Sequence, residues 1–484
     1  MAHSPRPARH VKLHMRWIVA GLMIAGLARA AALPADLRRI AGLAASLPPE
    51  FQADTLLQIL ESRGGLDPDL KKDLIGDAFT AAQQARSPYP QVAIYATNPD
   101  TRQAFLSNAS SLKLDRLSLH TRAIRLLLAF DPSGARHLFE RVQRPAVPKA
   151  GCGDALIPRL DDYYDVAAQI VSRGFTPPEI GRQEHVALLM QIMAGVEAPY
   201  EAGPAARMIA NAALTPRQFE AALNAFTARL ETIVHDDRSF TETVLSTQQE
   251  IVVLAAQAVA LDVPRATLAR AYRKYLTSNF SQPRCGDSMG ARISGSAVAS
   301  PIDWFNESDL RSGLPVIQMK EVAVKGVQGN AQVDTYWTTP ESEKILITAR
   351  ALRMSPGGVF YSVQERSTQE WSQRLTEFVE QLNQWKQSEG ESELDFFHEK
   401  AIVHESLIDL CPSGEGRQKM IAAFVDFLKG SAAAQQSPAE WFWHAQDVFR
   451  RLRQSGDEDA TKLMAAYRGS GSLILEVYAQ LNSK

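Results

Sequence analysis

The sequence predicts an all-α protein, built of antiparallel helix pairs stacked as an α-solenoid or an irregular bundle. Three observations carry this. Apolar residues recur at alternating steps of four and three, in Phe219, Leu223, Phe226, Leu230 and Ile233 and again in Trp371, Leu375, Phe378, Leu382 and Trp385. That spacing lays one face of a helix against a core. Helix-opening signals, an Asp, Ser or Thr followed by Pro or by Glu/Gln three residues on, punctuate the chain throughout. Only residues 322–337 have strand character, where Gly329-Asn330 between valines and aromatics suits a small β-hairpin insertion around 320–337.

Taken in order, residues 1–16 carry Arg6, Arg9, Lys12 and Arg16 and no acid; an apolar run follows over 17–27, then Ala28-Arg29-Ala30. Basic start, short apolar run and small-x-small site are the three parts of a secretory signal peptide over 1–30. The apolar run is too short to cross a bilayer, and no later segment is apolar for long enough. The expectation is export, to the periplasm or outside the cell, with no transmembrane segment in the mature chain. Cleavage would take five bases and no acid from a chain of 52 bases and 54 acids, leaving it the more acidic. No basic cluster remains to neutralise phosphates, so nucleic acid is excluded as a main partner.

Residues 31–287 read as an N-terminal helical-repeat region. A helical face over 36–47 is broken by Pro48-Pro49; a second helix over 51–63 stops at Gly64-Gly65. Asp67-Pro68 opens a third, 87–90 is a loop, helices cover 101–110 and 115–130, and Pro132 opens the next. Thr176-Pro177-Pro178-Glu179 and Thr215-Pro216-Arg217-Gln218 have capping-box spacing. A long helix over 239–260 precedes Asp262-Val263-Pro264, which opens the helix leading to Cys285. Residues 288–313 form an irregular linker, opening on a stretch rich in Gly, Ser and Ala. Residues 314–484 are a Trp-rich C-terminal helical region, with starts at Thr339-Pro340, Ser367 with Glu370, and Ser437-Pro438-Ala439-Glu440, and a last helix over 473–481.

The N-terminal half is organised around a doubled tripeptide, Cys152-Gly153-Asp154 and Cys285-Gly286-Asp287. Each copy has an aromatic residue 13 positions before the cysteine (Phe139, Tyr272) and a base 11 before it (Arg141, Lys274). Three cysteines in an exported chain allow one bridge in three pairings. Shared context favours Cys152 with Cys285, leaving Cys411 as a buried free thiol. Such a bridge stabilises by about 3–5 kcal/mol, largely by restricting the unfolded chain. No C-x-x-C or histidine partner stands at metal-ligand spacing, so no metal and no cofactor is expected. Asp154 and Asp287 are read as turn residues bonding nearby amides.

Several stretches imitate catalytic motifs. His398-Glu399 and His404-Glu405 suggest a zinc protease, but their histidines are six apart and point to different helix faces. Ser110-Ser111-Leu112-Lys113 matches S-x-x-K without the companion motifs of that chemistry and reads as a helix end. Asp161-Asp162-Tyr163-Tyr164-Asp165 fits a helix start and His235-Asp236-Asp237 an interhelical loop. Trp441, Trp443 and His444 are the candidate binding residues, an aromatic platform for sugar or peptide set against core packing.

Residues 189–193 (Leu-Met-Gln-Ile-Met) resemble the G-L-M-Q-I-M segment of lytic transglycosylases, and residues 465–469 (Ala-Ala-Tyr-Arg-Gly) resemble their A-A-Y-N-A-G segment. The resemblance implies cleavage of peptidoglycan by one glutamate acting as acid and base, beside a helical superhelix. The chain departs from it in lacking the first segment's glycine, and the Glu-Ser pair taken as candidate, Glu405-Ser406, stands after that segment instead of before it. Two functions stand. The leading one is a scaffold or binding protein of the cell envelope, whose partner is an envelope protein or cell-wall polymer, since stacked helices make extended surfaces. The other is a hydrolase or lyase on such a polymer, using a carboxylate acid/base. A cavity where carboxylates converge separates the second from a shallow aromatic groove.

Overall fold

A computed structural model describes residues 33–62, 65–94, 101–144, 146–234, 238–282, 284–285, 299–318, 322, 327–328, 334–355 and 357–482. The fold is all-α. In chain order the first elements are α1 (Ala35–Ala44), α2 (Pro49–Ser62), α3 (Pro68–Ala82), β1 (Gln91–Ala93), α4 (Arg102–Ser110), α5 (Arg116–Leu128), α6 (Pro132–Glu140) and β2 (Leu156–Pro158). They continue with α7 (Asp161–Arg173), α8 (Pro177–Gly181), α9 (Glu184–Ala194), α10 (Pro199–Asn211), α11 (Pro216–Leu230), α12 (Arg238–Ala260), α13 (Ala266–Phe280), β3 (Arg284–Cys285), α14 (Ala299–Glu307) and β4 (Val327–Gln328). The last are α15 (Pro340–Arg353), α16 (Gln369–Gln384), α17 (Glu393–Leu410), α18 (Glu415–Gly430), α19 (Ala433–Gln436), α20 (Pro438–Ser455), α21 (Asp457–Arg468) and α22 (Leu473–Leu481).

Capping chemistry places most of these starts. Asp67 accepts from the amides of Asp69 and Leu70, Thr101 from Ala104, Asp115 from Ser118 and Asp131 from Gly134. Each acceptor satisfies an amide that has no partner within its own helix. The Glu179 carboxylate accepts from the Thr176 amide and hydroxyl, and Gln218 accepts from the Thr215 amide. Two expected boxes differ. Thr368, not Ser367, caps α16 by accepting from the Trp371 amide; the Ser367 hydroxyl instead donates back to the Val363 carbonyl. Ser437 precedes α20 but makes no side-chain cap.

Helices pack mainly on near neighbours in sequence: α2 on α3, α3 on α5, α5 on α6 and α7, α7 on α10, α10 on α12, and α11 on α9 and α13. The two predicted stripes are core: Phe219, Leu223, Phe226 and Leu230 have no exposed surface, and Trp371, Phe378, Leu382 and Trp385 are buried. α10 packs closely along α12, turning Ala202, Gly203, Ala205 and Ala206 inward. At Gly203 an added Cβ would sit 3.2 Å from the Thr247 Cα, so a side chain there would displace backbone. Arg207 ties three helices, binding Asp161 and Asp165 of α7 and Glu250 of α12.

One hydrophobic core runs from Leu33 to Ala479, and a second, smaller one gathers Trp337, Ile345, Trp371, Phe378, Leu407 and Cys411. The C-terminal helices return to the beginning: α22 packs on α1 and α2, and α20 on α4. None of the described helices is long and apolar enough to cross a membrane. Strands are few among the described residues. β1 pairs antiparallel with β2, bringing Gln91 opposite Pro158 and Ala93 opposite Leu156. The hairpin expected around 320–337 falls largely outside the described residues. Its described pair, β4, lies parallel to β3, so it joins the chain before the linker. The segment expected to be a signal peptide (1–30), His235-Asp236-Asp237, and Gly286 and Asp287 of the second tripeptide also lie outside them.

Candidate functional site

Three helix starts converge on a cavity of about 280 Å³. Glu50 is the second residue of α2, Asp115 caps α5, and Glu440 is the third residue of α20. All three line the cavity, with Ser87, Ser110, Gln91 and Gln436 adding neutral polar groups. A carboxylate at a helix N-terminus interacts well with the partial positive charge there, which helps these acids tolerate burial. Here the burial is deep: Glu50 is 3% exposed and Asp115 4%. Glu50 Oε2, Asp115 Oδ2 and Glu440 Oε2 each lack a hydrogen-bond partner. Uncompensated buried acceptors are costly, and several facing one space mark a place for donors.

The electrostatics follow from that burial. Loss of solvent pushes the Asp115 carboxyl up to about 6, against the lowering effect of its Ser118 hydrogen bonds. Burial likewise raises Glu440, opposed by Ser437 and by His444 one helical turn further on. One cation serves the rim. Arg86 Nη1 donates to the Gln435 and Gln436 carbonyls at 2.8 and 3.0 Å, while its Nε lies 3.9 Å from Glu50 Oε1. Gln91 and Leu106 also line a neighbouring cavity of about 370 Å³, which extends past β1 to Lys149, Asp154 and Asp334. The first Cys-Gly-Asp turn therefore borders the same cleft. As expected of a turn residue, Asp154 Oδ2 accepts from the Gly151 amide at 2.7 Å.

Behind Glu440 lies a buried polar chain. His444 Nδ1 donates to Glu405 Oε1 at 2.5 Å, and His444 Nε2 meets His398 Nδ1 at 3.1 Å. Glu405 Oε2 accepts from Arg451, which also binds Asp409 and Asp447. Burial holds His398 well below the usual histidine range, with His444 and Arg102 adding to the effect. Phe105 closes the top of this chain, its ring 3.5 Å from that of His398 and 5.0 Å from that of His444.

The aromatic run does not make a surface platform. Trp441 and His444 have no exposed surface, the Trp441 indole N–H donates to the Leu428 carbonyl, and only Trp443 is half-buried, edge-on to Phe105. On α20 these residues face α4 and α18, and core packing takes them. His404 stacks on Phe427 and Glu399 lies apart from the histidine pair, so the zinc-protease pattern has no counterpart. No cluster of metal-holding side chains occurs among the described residues. Ser110 ends α4 and Lys113 follows with a positive φ of 56°, bonded to Asp162. The segment resembling lytic transglycosylases forms α9, packed on α7 and α11, whereas Glu405 is spent on His444 and Arg451. Cys411 is a buried free cysteine, its thiol pushed up to about 11 by burial. The Cys285 side chain lies outside the described residues.

Asp115 and Glu440 were legible only as helix starts, and Glu50 fell just ahead of the helix read over 51–63, which begins at Pro49. Each is what a first turn favours locally, and only their convergence distinguishes them. Compared with known proteins, the chain matches no family model, no curated protein and no solved structure.

Proposed function

We propose that the chain is an exported binding protein of the cell envelope, and that the acidic cavity holds a ligand presenting a primary ammonium group. The observation that carries this is the unpartnered oxygen of Glu50, 97% buried, facing the same space as those of Asp115 and Glu440. An ammonium has three donors and no acceptor, so it answers three orphaned acceptors with one charge. Export rests on residues 1–30, as read above. The adjoining cavity gives the rest of the ligand somewhere to lie, which suits a segment of an envelope polymer or peptide.

Titration calorimetry of the full chain with a short diamine, against its acetylated form, tests the assignment. Saturable binding of the diamine, weakened at least tenfold in Glu50→Gln, is expected. Equal heats from both compounds, or none, would reject it.

A second reading has one specific support: an Asp115 carboxyl near 6 beside other carboxylates is suited to proton transfer. It requires that purified protein degrade cell-wall polymer, and that Asp115→Asn abolish this. We also infer that Cys152 and Cys285 form the tether drawn from the doubled tripeptide. In support, Cys411 is a buried free thiol, which leaves the two cysteines of the doubled tripeptide as the pair to bridge.

A further inference from the structure

A cavity of opposite character, about 520 Å³, is lined by Pro88 and Arg116, the chain neighbours of Ser87 and Asp115 in the acidic cavity. Arg116, Arg141, Arg144, His120 and the amides of Gln83 and Gln143 face it, and no carboxylate lines it. Arg144 is already committed, its Nε and Nη2 donating to the fully buried Glu201 at 2.9 and 2.5 Å. The other two guanidinium groups are not. Arg116 donates only to the Ala85 carbonyl, at 3.3 Å, and Arg141 lies 5.2 Å over the Phe79 ring. Among the described residues neither is paired with a carboxylate.

Both are exposed, so solvent screens them, but two like charges facing one space without a carboxylate still attract an anion. Their field registers on the residue between them. His120 stacks on Phe79 and its Nε2 donates to the Phe79 carbonyl at 3.2 Å. Burial first, and then Arg116 and Arg141, push this histidine down to about 4. It is therefore neutral at pH 7, and the cavity's positive charge comes from the arginines alone. Planar guanidinium forks match tetrahedral oxyanions and favour a dianion where two of them meet.

We propose that this cavity binds a phosphate group, held between Arg116 and Arg141 with Gln83 and Gln143 as further donors. The volume exceeds that of a bare phosphate ion, so the fitting ligand is a phosphate monoester whose organic part occupies the remainder. This assignment is independent of what the acidic cavity binds.

Inorganic phosphate, a sugar monophosphate and acetate, titrated separately into the full chain, test it, with the His120 ring signals followed by NMR. The expected result is saturable shifts with both phosphates, tighter for the monoester, at least tenfold weaker for acetate, and a His120 pKa that rises on binding. Arg141→Gln and, separately, Arg116→Gln should each weaken the monoester at least tenfold while thermal unfolding stays unchanged. Acetate binding as tightly as phosphate, no shift at millimolar phosphate, or unchanged affinity in both variants would overturn the proposal. Co-sedimentation with phosphatidic acid vesicles distinguishes the sources. Pelleting abolished by Arg141→Gln would identify a lipid headgroup, and monoester binding without pelleting a soluble ligand.

Discussion

Glu399 has no exposed surface, and burial, reinforced by Glu391, pushes its carboxyl up to about 9. An unfolded glutamate titrates near 4.3. Between those values the folded state keeps a proton that the unfolded state has lost. Stability from this group is thus complete below about pH 4 and falls as pH rises towards 9, by up to about 1.4 kcal/mol per pH unit. Glu399→Gln keeps a neutral side chain of the same shape and removes that dependence. Thermal unfolding between pH 5 and 9 should show wild type losing stability faster than the variant. Parallel curves would show that Glu399 is ionised in the folded protein. At this scale the sequence was least readable. His398-Glu399 and His404-Glu405 look like one motif, yet His398 and Glu405 join His444 while Glu399 and His404 are buried elsewhere. Which face each residue meets is set by α18 and α20 folding back and by α4 arriving from distant sequence, and spacing along α17 carries no record of that.

Two helical glycines offer opposite outcomes. Gly76 in α3 has nothing within 4 Å of an added Cβ, so Gly76→Ala should stabilise by about 0.5–1 kcal/mol through reduced chain entropy. Gly203 in α10 has the Thr247 backbone at 3.2 Å, and Gly203→Val should cost about 1–3 kcal/mol by forcing α10 from α12. Chemical denaturation of both variants measures the pair; a destabilised Gly76→Ala or a neutral Gly203→Val would contradict the packing described. Helices were the readable elements, because amphipathic spacing and caps are local. Asp67, Thr101, Asp115, Thr176, Thr215 and Thr339 all open helices as their residue types require. The start of α16 slipped by one because Ser367 and Thr368 are adjacent hydroxyls, and only the backbone decides which one caps. The β1–β2 ribbon escaped notice because three residues a side cannot show a period, and its two strands are about sixty residues apart.

For the molecule as a whole, a Cys152–Cys285 tether would close a loop spanning α7 to α13, contributing about 3–5 kcal/mol. Non-reducing peptide mapping should recover these two cysteines in one linked peptide and Cys411 alone as a free thiol. Recovery of Cys152 and Cys285 only as thiols would remove the tether, and with it one argument for an oxidising compartment. The stacked helices were foreseeable from the chain, whereas the return of α22 to α1 and α2 was not: apolar faces state that a helix needs a partner and leave its identity open.

That return alters how the assembly can come apart. A linear array of helical units has two loose extremities and unravels inward from either one, each unit held by a single neighbour. Here the outermost helices shield each other's apolar sides, so neither can peel away without stripping the other. For the described helices, melting therefore has no cheap starting point at α1 or α22 and begins by rupturing an interior seam, which binds these two helices into one cooperative unit.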